Sequence, residues 1–287
     1  MSRPVIYNLG SLNLDRVVRV PHMVAPGETL AASSLATYPG GKGANQSVAL
    51  ARAGARVVHI GRIGTDGKML CERLAAEGVD VRHVVEMSDT PSGQAIIQVD
   101  DQGQNSIVIL AGANGAITAS DVAAALADAP AGSWLLTQNE TSSVGEAMKL
   151  AKQRGLKIAF NPAPADARVR SYPAELVDLW CLNETEHRLL HDLLPRDLAS
   201  NQEVLLTRGA GGAALWRADG ELHLPAEQVE VVDTTAAGDT FLGYYLAGVI
   251  AGLAPPARLE RATRAAAICV TRPGAMDSIP NAEEVGE

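Results

Sequence analysis

Within residues 231–241, VVDTTAAGDTF, two carboxylates stand six positions apart with only threonine, alanine and glycine between Asp233 and Asp239. Ala236, Ala237 and Gly238 carry minimal side chains and precede the apolar run TFLGYYLAGVIAGL, so their N–H groups would lie uncovered at the start of a helix. Such groups hold anions and can stabilise charge that develops on a group in transit. Asp239 beside them could take the proton of an attacking hydroxyl, the help that phosphoryl transfer to an alcohol uses. The same residues also describe an ordinary helix start, with Thr234 or Thr235 as cap and Asp239 as a first-turn acid. Residue types alone leave the two level.

A second concentration of chemistry is YPGGKGANQSVALA, where glycines and Lys42 run into an apolar pattern of helical period. A P-loop would need glycine at position 36 and Ser or Thr after the lysine; Ala36 and Gly43 stand there instead. Lys42 and Asn45 could hydrogen-bond vicinal hydroxyls from one side of the turn, against a plain glycine turn entering a helix. In GSLNLD, Asn13 and Asp15 leave the same strand face. An amide and a carboxylate there suit two adjacent hydroxyls of a polyol, although an Asx turn uses the same residues.

LNETE puts Asn183 at a strand end and Glu186 three residues on, which fits a capping box as well as a ligand site. LLTRGAGG is a strand entering a glycine turn, a place where a nucleotide can approach the backbone. EHRLLH sets His187 and His191 at i, i+4, but Arg188 stands where a metalloprotease helix needs Glu, so both are read as surface histidines.

These residues need elements that bring them to one place. From about residue 130, β-branched or leucine-rich runs alternate with amphipathic ones, the pattern of βα units around a largely parallel sheet. SWLLTQNE, LKIAFNPAP, LWCLNE and EVLLTRG read as strands, SSVGEAMKLAKQRG and TEHRLLHDLL as helices, and VEVV as a strand running into Asp233. Glu140, Asn161, Asn183 and Thr207 stand at strand ends, and ligands of open α/β sheets bind outside those carboxyl ends. GANQSVALARAG, GDTFLGYYLAGVIAGL and RLERATRAAAICVTRPG read as helices, the last stopped by Pro273 and Gly274. In the first third, GETLAASSLATYPGG and a hairpin turning at residues 100–104 suit a small antiparallel sheet, used as a lid or an oligomer interface.

Hydrophobic residues make up 47% of 287, enough for a large core without metals or disulfides. Twenty-four Lys and Arg against 33 Asp and Glu give a net charge of −9 without a basic run, which argues against nucleic acid or an anionic membrane as partner. Three unpaired-looking cysteines, no apolar leader and no membrane-length run lead to the expectation of an unprocessed, soluble, cytoplasmic protein.

In this order NLD, GGKGAN, NPAPA, NETE, TRGAGG and DTTAAGD resemble the ribokinase-like carbohydrate kinase family over nearly the whole chain. GGKGANQSVALARAG and DTTAAGDTF carry the resemblance most specifically. It implies an α/β fold, a central mostly parallel sheet flanked by helices with a small β-sheet lid, as one domain over residues 1–287 with lid strands within about 16–40 and 92–111. It implies ATP-dependent phosphorylation of a sugar hydroxyl, Asp239 as base, and an anion hole from Ala236, Ala237 and Gly238. Asn13, Asp15, Gly41, Lys42, Asn45 and Glu140 match sugar-binding positions. Asn183 and Glu186 match positions near the ATP phosphates and Mg²⁺. Thr207, Arg208, Gly209, Ala210, Gly211 and Gly212 match the nucleotide loop. Asp233 and Thr235, with Cys269, Arg272, Gly274 and Ser278, match two loops around K⁺, a hard cation suited to oxygen ligands. A homodimer through the lid is implied as well.

Three departures stand out: a short stretch from Asn183 to Thr207, an altered helix start in GRIGTDGKML, and little room for a final helix after SIPNAEEVGE. Ribose is the first substrate to test, with deoxyribose, another pentose or a nucleoside as alternatives. A non-catalytic sugar- or nucleotide-binding regulator is the competing class, and a dinucleotide-dependent oxidoreductase would need a GxGxxG turn that GSLNLD does not supply.

Overall fold

IYNL, WLLTQ and LWCL are buried without alternation, the pattern of strands covered by helices on both faces. The computed structural model describes residues 4–195, 199 and 201–286. Its strands are β1 (Ile6–Leu9), β2 (Asn13–Arg19), β3 (Ser34–Gly40), β4 (Val57–Gly64), β5 (Asp80–Met87), β6 (Gly93–Val99), β7 (Asn105–Leu110), β8 (Trp134–Gln138), β9 (Lys157–Asn161), β10 (Leu179–Asn183), β11 (Glu203–Thr207), β12 (Ala213–Arg217) and β13 (Gly220–Leu224). Its helices are α1 (Lys42–Arg52), α2 (Lys68–Ala76), α3 (Ala119–Ala125), α4 (Val144–Gln153), α5 (Glu184–Leu190), α6 (Ala237–Ile250), α7 (Pro255–Val270) and α8 (Ala282–Val285).

Nine strands form one sheet in the order β13-β12-β11-β10-β9-β8-β1-β4-β5. All pairings from β5 to β11 are parallel, and β12 and β13 add an antiparallel edge. The chain winds to one side of β1 through β4 and to the other through β8, so β1 marks the switch point where a crevice opens beyond the strand ends. One core cluster joins α1, α2, α6 and α7 to one face of the sheet, and a second joins α3 and α4 to the other.

Helix α6 is buried over ten consecutive residues, Asp239 to Gly248, as a helix apolar on all sides beyond its first turn must be. It packs on α1 at Gly243, where a Cβ would stand 2.4 Å from Ala49 Cβ. That close approach carries the two signature helices as one block. The Tyr244 and Tyr245 hydroxyls, buried in the same helix, donate to Pro280 O and Glu203 Oε2, each at 2.7 Å.

A second sheet, β3-β2-β6-β7, stands over the carboxyl end of the first. It is mixed rather than antiparallel throughout: β2 and β6 pair in parallel from Asn13↔Gly93 to Arg19↔Val99, because both leave the main body in the same direction. The hairpin turn between β6 and β7 is closed by Asp100 N–H to Gln104 O at 3.0 Å.

VEVV forms no strand, which corrects the expectation from its β-branched composition. Val229, Val231 and Val232 are exposed, and the segment is tied down by Val232 N–H to Val270 O, 2.8 Å, at the end of α7. Propensity alone makes no ladder. In GRIGTDGKML a 3₁₀ turn at Thr65–Gly67 precedes α2, and α8 supplies a final single helical turn. The stretch from Asn183 to Thr207 includes residues 196–198 and 200, which lie outside the described residues. Among the described residues no helix is long and apolar enough to cross a membrane.

Candidate active site

The start of α1 is built by close approach. A Cβ on Gly43 would meet Gly10 Cα at 2.3 Å, so only glycine lets α1 begin against the end of β1. Gly43 N–H donates to Ser11 Oγ at 3.1 Å, Ser11 donates to Glu140 Oε2 at 2.5 Å, and Lys42 N–H reaches the same carboxylate at 3.3 Å. Glu140 therefore covers the positive end of α1 with one oxygen. Beside it Asn114 Nδ2 donates to Asn13 Oδ1 at 2.8 Å, so the Asn13 amide offers its own N–H groups outward.

Asp239, 9% exposed, opens α6 and accepts from both neighbours on α1: Asn45 Nδ2 to Oδ2 at 3.1 Å and Gln46 Nε2 to Oδ1 at 2.8 Å. Burial raises its pKa above the usual carboxylate range, opposed by the Lys42 charge and by the two amides. Burial also lifts Glu140, against Lys42 and Ser11, and pushes Asp15 up to about 7, with the Glu140 charge adding to the shift. Burial works against the Lys42 ammonium, yet Asp239, Glu140 and Glu186 together raise it, so it stays charged.

The ordinary-cap alternative for DTTAAGD fails at the backbone. Ala236 is the N-cap residue in the left-handed region, φ 61, and no side chain caps the helix. A left-handed conformation costs a non-glycine residue about 1–2 kcal/mol, and only Ser143 shares it among the described non-glycine residues. Ala237 N–H turns back to Thr234 O at 3.3 Å, whereas the N–H groups of Gly238 and Asp239 meet no acceptor among the described residues. Thr235 is engaged elsewhere, through its N–H and Oγ1 to Asp233 Oδ1 at 2.9 and 2.6 Å.

For LNETE, by contrast, the capping box is present: Asn183 N–H to Glu186 Oε2 at 2.9 Å and Glu186 N–H to Asn183 Oδ1 at 2.8 Å. One Glu186 oxygen remains unengaged among the described residues, on a carboxyl that burial raises and the Asn183 N–H and Lys42 lower.

Asn13, Asp15, Gly41, Lys42, Asn45, Glu140, Asn183, Glu186, Thr207, Thr235, Ala236, Ala237, Gly238 and Asp239 line one cleft of about 430 Å³, with Ile107 and Ile109 of β7 in the second sheet also on its wall. A second, mostly apolar cleft of about 300 Å³ is lined by Gly209, Ala210, Gly212, the 226–231 arm and Ala266, Ala267 and Val270 of α7. The two share Thr207, Thr234, Ala237 and Gly238, so the uncapped helix start lies where they meet.

Arg208 and Gly211 line neither cleft; Arg208 turns towards His223. Outside both, Asp233 Oδ2 accepts Gly274 N–H at 3.0 Å and Cys269 Sγ lies 3.1 Å from Ser278 Oγ. These contacts bring 233–235 against 269–278, while the Arg272 side chain leaves to pair with Glu284. His187 stacks edge-on against Trp216, ring centroids 5.1 Å apart.

The family pattern described as pfkB family carbohydrate kinase matches residues 6–282. The chain belongs to this family. Its members are phosphotransferases that act on sugar hydroxyls. Among relatives, a ribokinase of Haemophilus influenzae is 36% identical, over 99% of this chain and 98% of its own. A ribokinase of Cryptococcus neoformans solved with ADP superimposes with a TM-score of 0.84 at 34% identity, covering 99% of each chain. An Arabidopsis thaliana ribokinase solved with ribose and ATP gives 0.83 at 29%, covering 99% and 98%.

Within this pfkB family chain, the residues that motif reading missed are those that hold others. Gln46 sits in GGKGANQ beside Asn45 and touches Asp239; Asn114 fixes Asn13; and the arm at 226–231 walls the second cleft. Only Gln46 carried a signal, as the next polar residue of a quoted motif.

Proposed function

We propose that this protein transfers the γ-phosphoryl group of ATP to ribose, giving ribose 5-phosphate and ADP. The observation that carries the proposal is the uncapped start of α6, shared by a polar cleft and an apolar one. Asn13, Asp15, Gly41, Lys42, Asn45 and Glu140 take the sugar, and the ring of donors and carboxylates matches a polyol's alternating needs. The apolar cleft, entered by the turn from Thr207 to Gly212, takes the nucleotide, with Asn183 near its phosphates.

Asp239 accepts the proton of the sugar hydroxyl as its oxygen attacks the γ-phosphorus; the bond to the β-phosphate oxygen breaks and ADP carries away that electron pair. N–H groups from Ala236, Ala237 and Gly238 receive the equatorial oxygens, Gly238 being free to do so. Lys42 faces the same charge.

The unengaged Glu186 oxygen suits Mg²⁺ with intervening water, a cation that would neutralise phosphate charge and favour the carboxylate that burial disfavours. Asp233 has no cationic partner among the described residues, and its hydrogen bonds to Thr235 and Gly274 keep it ionised. A K⁺ held by carbonyls of the two loops around Asp233, Thr235, Cys269, Arg272, Gly274 and Ser278 would balance it behind the anion hole.

We read the chain as a single kinase domain whose lid pairs with a second copy, since Ile107, Val108, Ile109 and Leu110 on β7 are all at least half exposed. ADP release across ribose, 2-deoxyribose, other pentoses, hexoses and nucleosides tests the proposal. Release above the no-sugar rate with ribose in first place supports it. Another sugar in first place reassigns the substrate, and no release with any would leave a binding protein.

A further inference from the structure

Behind Asp239 runs a chain of buried carboxamides that no motif reading uses. Asn8, Gln46 and Gln138 are each at most 1% exposed. Asn8 Nδ2 donates to Gly43 O at 2.8 Å and to Ser47 Oγ at 2.9 Å. Gln138 Nε2 donates to Asn8 Oδ1 at 3.0 Å and to Gln46 Oε1 at 2.7 Å. Gln46 Nε2 in turn donates to Asp239 Oδ1 at 2.8 Å and to Asn161 Oδ1 at 3.1 Å, and Asn161 Nδ2 donates to Cys181 O at 2.9 Å.

Carboxamide oxygen and nitrogen are interchangeable in shape, and only partners decide which way each one points. Here both ends of the chain stop on backbone carbonyls, Gly43 O and Cys181 O, which can only accept. That fixes Asn8 and Asn161 with their oxygens inward, then Gln138 with its NH₂ towards Asn8 and Gln46, then Gln46 with its oxygen towards Gln138. Gln46 is left with one orientation, both N–H groups spent, one of them on Asp239.

We propose that Gln46, locked by Gln138 and Asn161, is a positioning residue that holds Asp239 in its ionised form and fixes which oxygen faces the acceptor. A donor-only amide favours the charged carboxylate and so opposes what burial does to it. The other groups facing Asp239 are Asn45 and Lys42 from α1, Glu140 after β8, Cys181 of β10, Glu186 of α5 and Cys269 of α7. Asn45 alone among them also donates to it, through the opposite oxygen.

The inference rests on Asp239 as base only for its catalytic consequence. The test uses Gln46→Met, which keeps bulk and removes both donors, and Gln138→Met, which keeps the donor but frees its orientation. The Asp239 carboxyl is titrated by ¹³C NMR in full-length protein, its resonance identified by its loss in Asp239→Asn, and kcat/KM is followed against pH.

In Gln46→Met the carboxyl titration should move up by about one to two pH units, the equivalent of a charge-assisted hydrogen bond. The acid limb of kcat/KM should move with it, while KM for the sugar stays within about twofold, since only the ionisable step is touched. Gln138→Met should give a smaller shift in the same direction. Unchanged titration in both folded variants, with lowered thermal stability alone, overturns the proposal and leaves Gln46 a packing residue; if Gln46→Met does not fold, an unshifted Gln138→Met does the same. Turnover retained by Asp239→Asn would instead remove the base assignment, while the carboxyl titration still reports on Gln46.

Discussion

The two clefts that meet at the start of α6 are made in opposite ways. The first is lined by side chains that carry charge or donate, several of them buried and each fixed by a second residue: Asn13 by Asn114, Asp239 by Asn45 and Gln46, Glu140 by Ser11. The second is lined by small apolar side chains and glycine backbone, Gly209, Ala210, Gly212, Ala226, Ala266 and Ala267, and by an arm of exposed valines. A cleft of side chains selects by hydrogen-bond pattern, because a ligand that lacks a hydroxyl leaves a buried partner unpaired. A cleft of small walls selects by shape and takes its specificity from backbone positions. The difference predicts that polar substitutions act on the acceptor side and bulk substitutions on the donor side.

Four substitutions should sharpen or break that division. Asp239→Asn keeps the size and the contact to Asn45, so both substrates should still bind by calorimetry while kcat falls about a thousandfold or more in a coupled ADP assay. Near-normal turnover would remove the base. Gly238→Val comes next: a Cβ there would meet no packed neighbour within 4 Å, so the fold should tolerate the side chain, but it would shield the free N–H. Loss of one such donor costs about a hundredfold or more in kcat, and a change confined to KM would show that this N–H does not serve the transition state.

Asp15→Asn should raise KM for the sugar about tenfold or more, the cost of a buried polar contact, with KM for ATP little moved. Its pH signature has a definite sign. A carboxyl held at about 7 when folded and near 3.8 when unfolded favours the neutral form, so stability falls as pH rises between those values. The variant should therefore melt higher than the parent at pH 8 and nearly with it at pH 4, and a parent whose melting temperature does not fall across that window would refute the assignment. Ala267→Leu should be smallest, raising KM for ATP several-fold by filling the apolar cleft, with sugar KM unchanged. Equal effects on both substrates would mean that the clefts are not separable.

Legibility followed the same division. The parallel sheet could be read because its strands are apolar on both sides, and the polar residues at their ends could be placed on one rim by topology alone. For GGKGAN and DTTAAGD the residue types left a ligand site and an ordinary helix start level, and only the resemblance to a kinase family gave them a proposed role. VEVV was misread as a strand because β-branching records local preference and says nothing of whether a neighbouring edge is free. The edge hairpin β12–β13 and the arm that walls the second cleft were not anticipated, since small apolar residues on a cleft wall look like any core. Gln46 escaped notice for another reason: its role lies in the direction of an amide, which depends on Gln138, 92 positions away.

The Gly243–Ala49 contact has a metric consequence. It packs α1, which carries the proposed acceptor side chains, against α6, whose start is the proposed anion hole, with no room between them for a methyl group on Gly243. On the proposed function, the span between acceptor and phosphoryl group is then set by this contact. An alcohol one carbon longer or shorter would sit at the right depth but present its hydroxyl off the line of attack. On this scaffold chain length should be discriminated in kcat more than in binding.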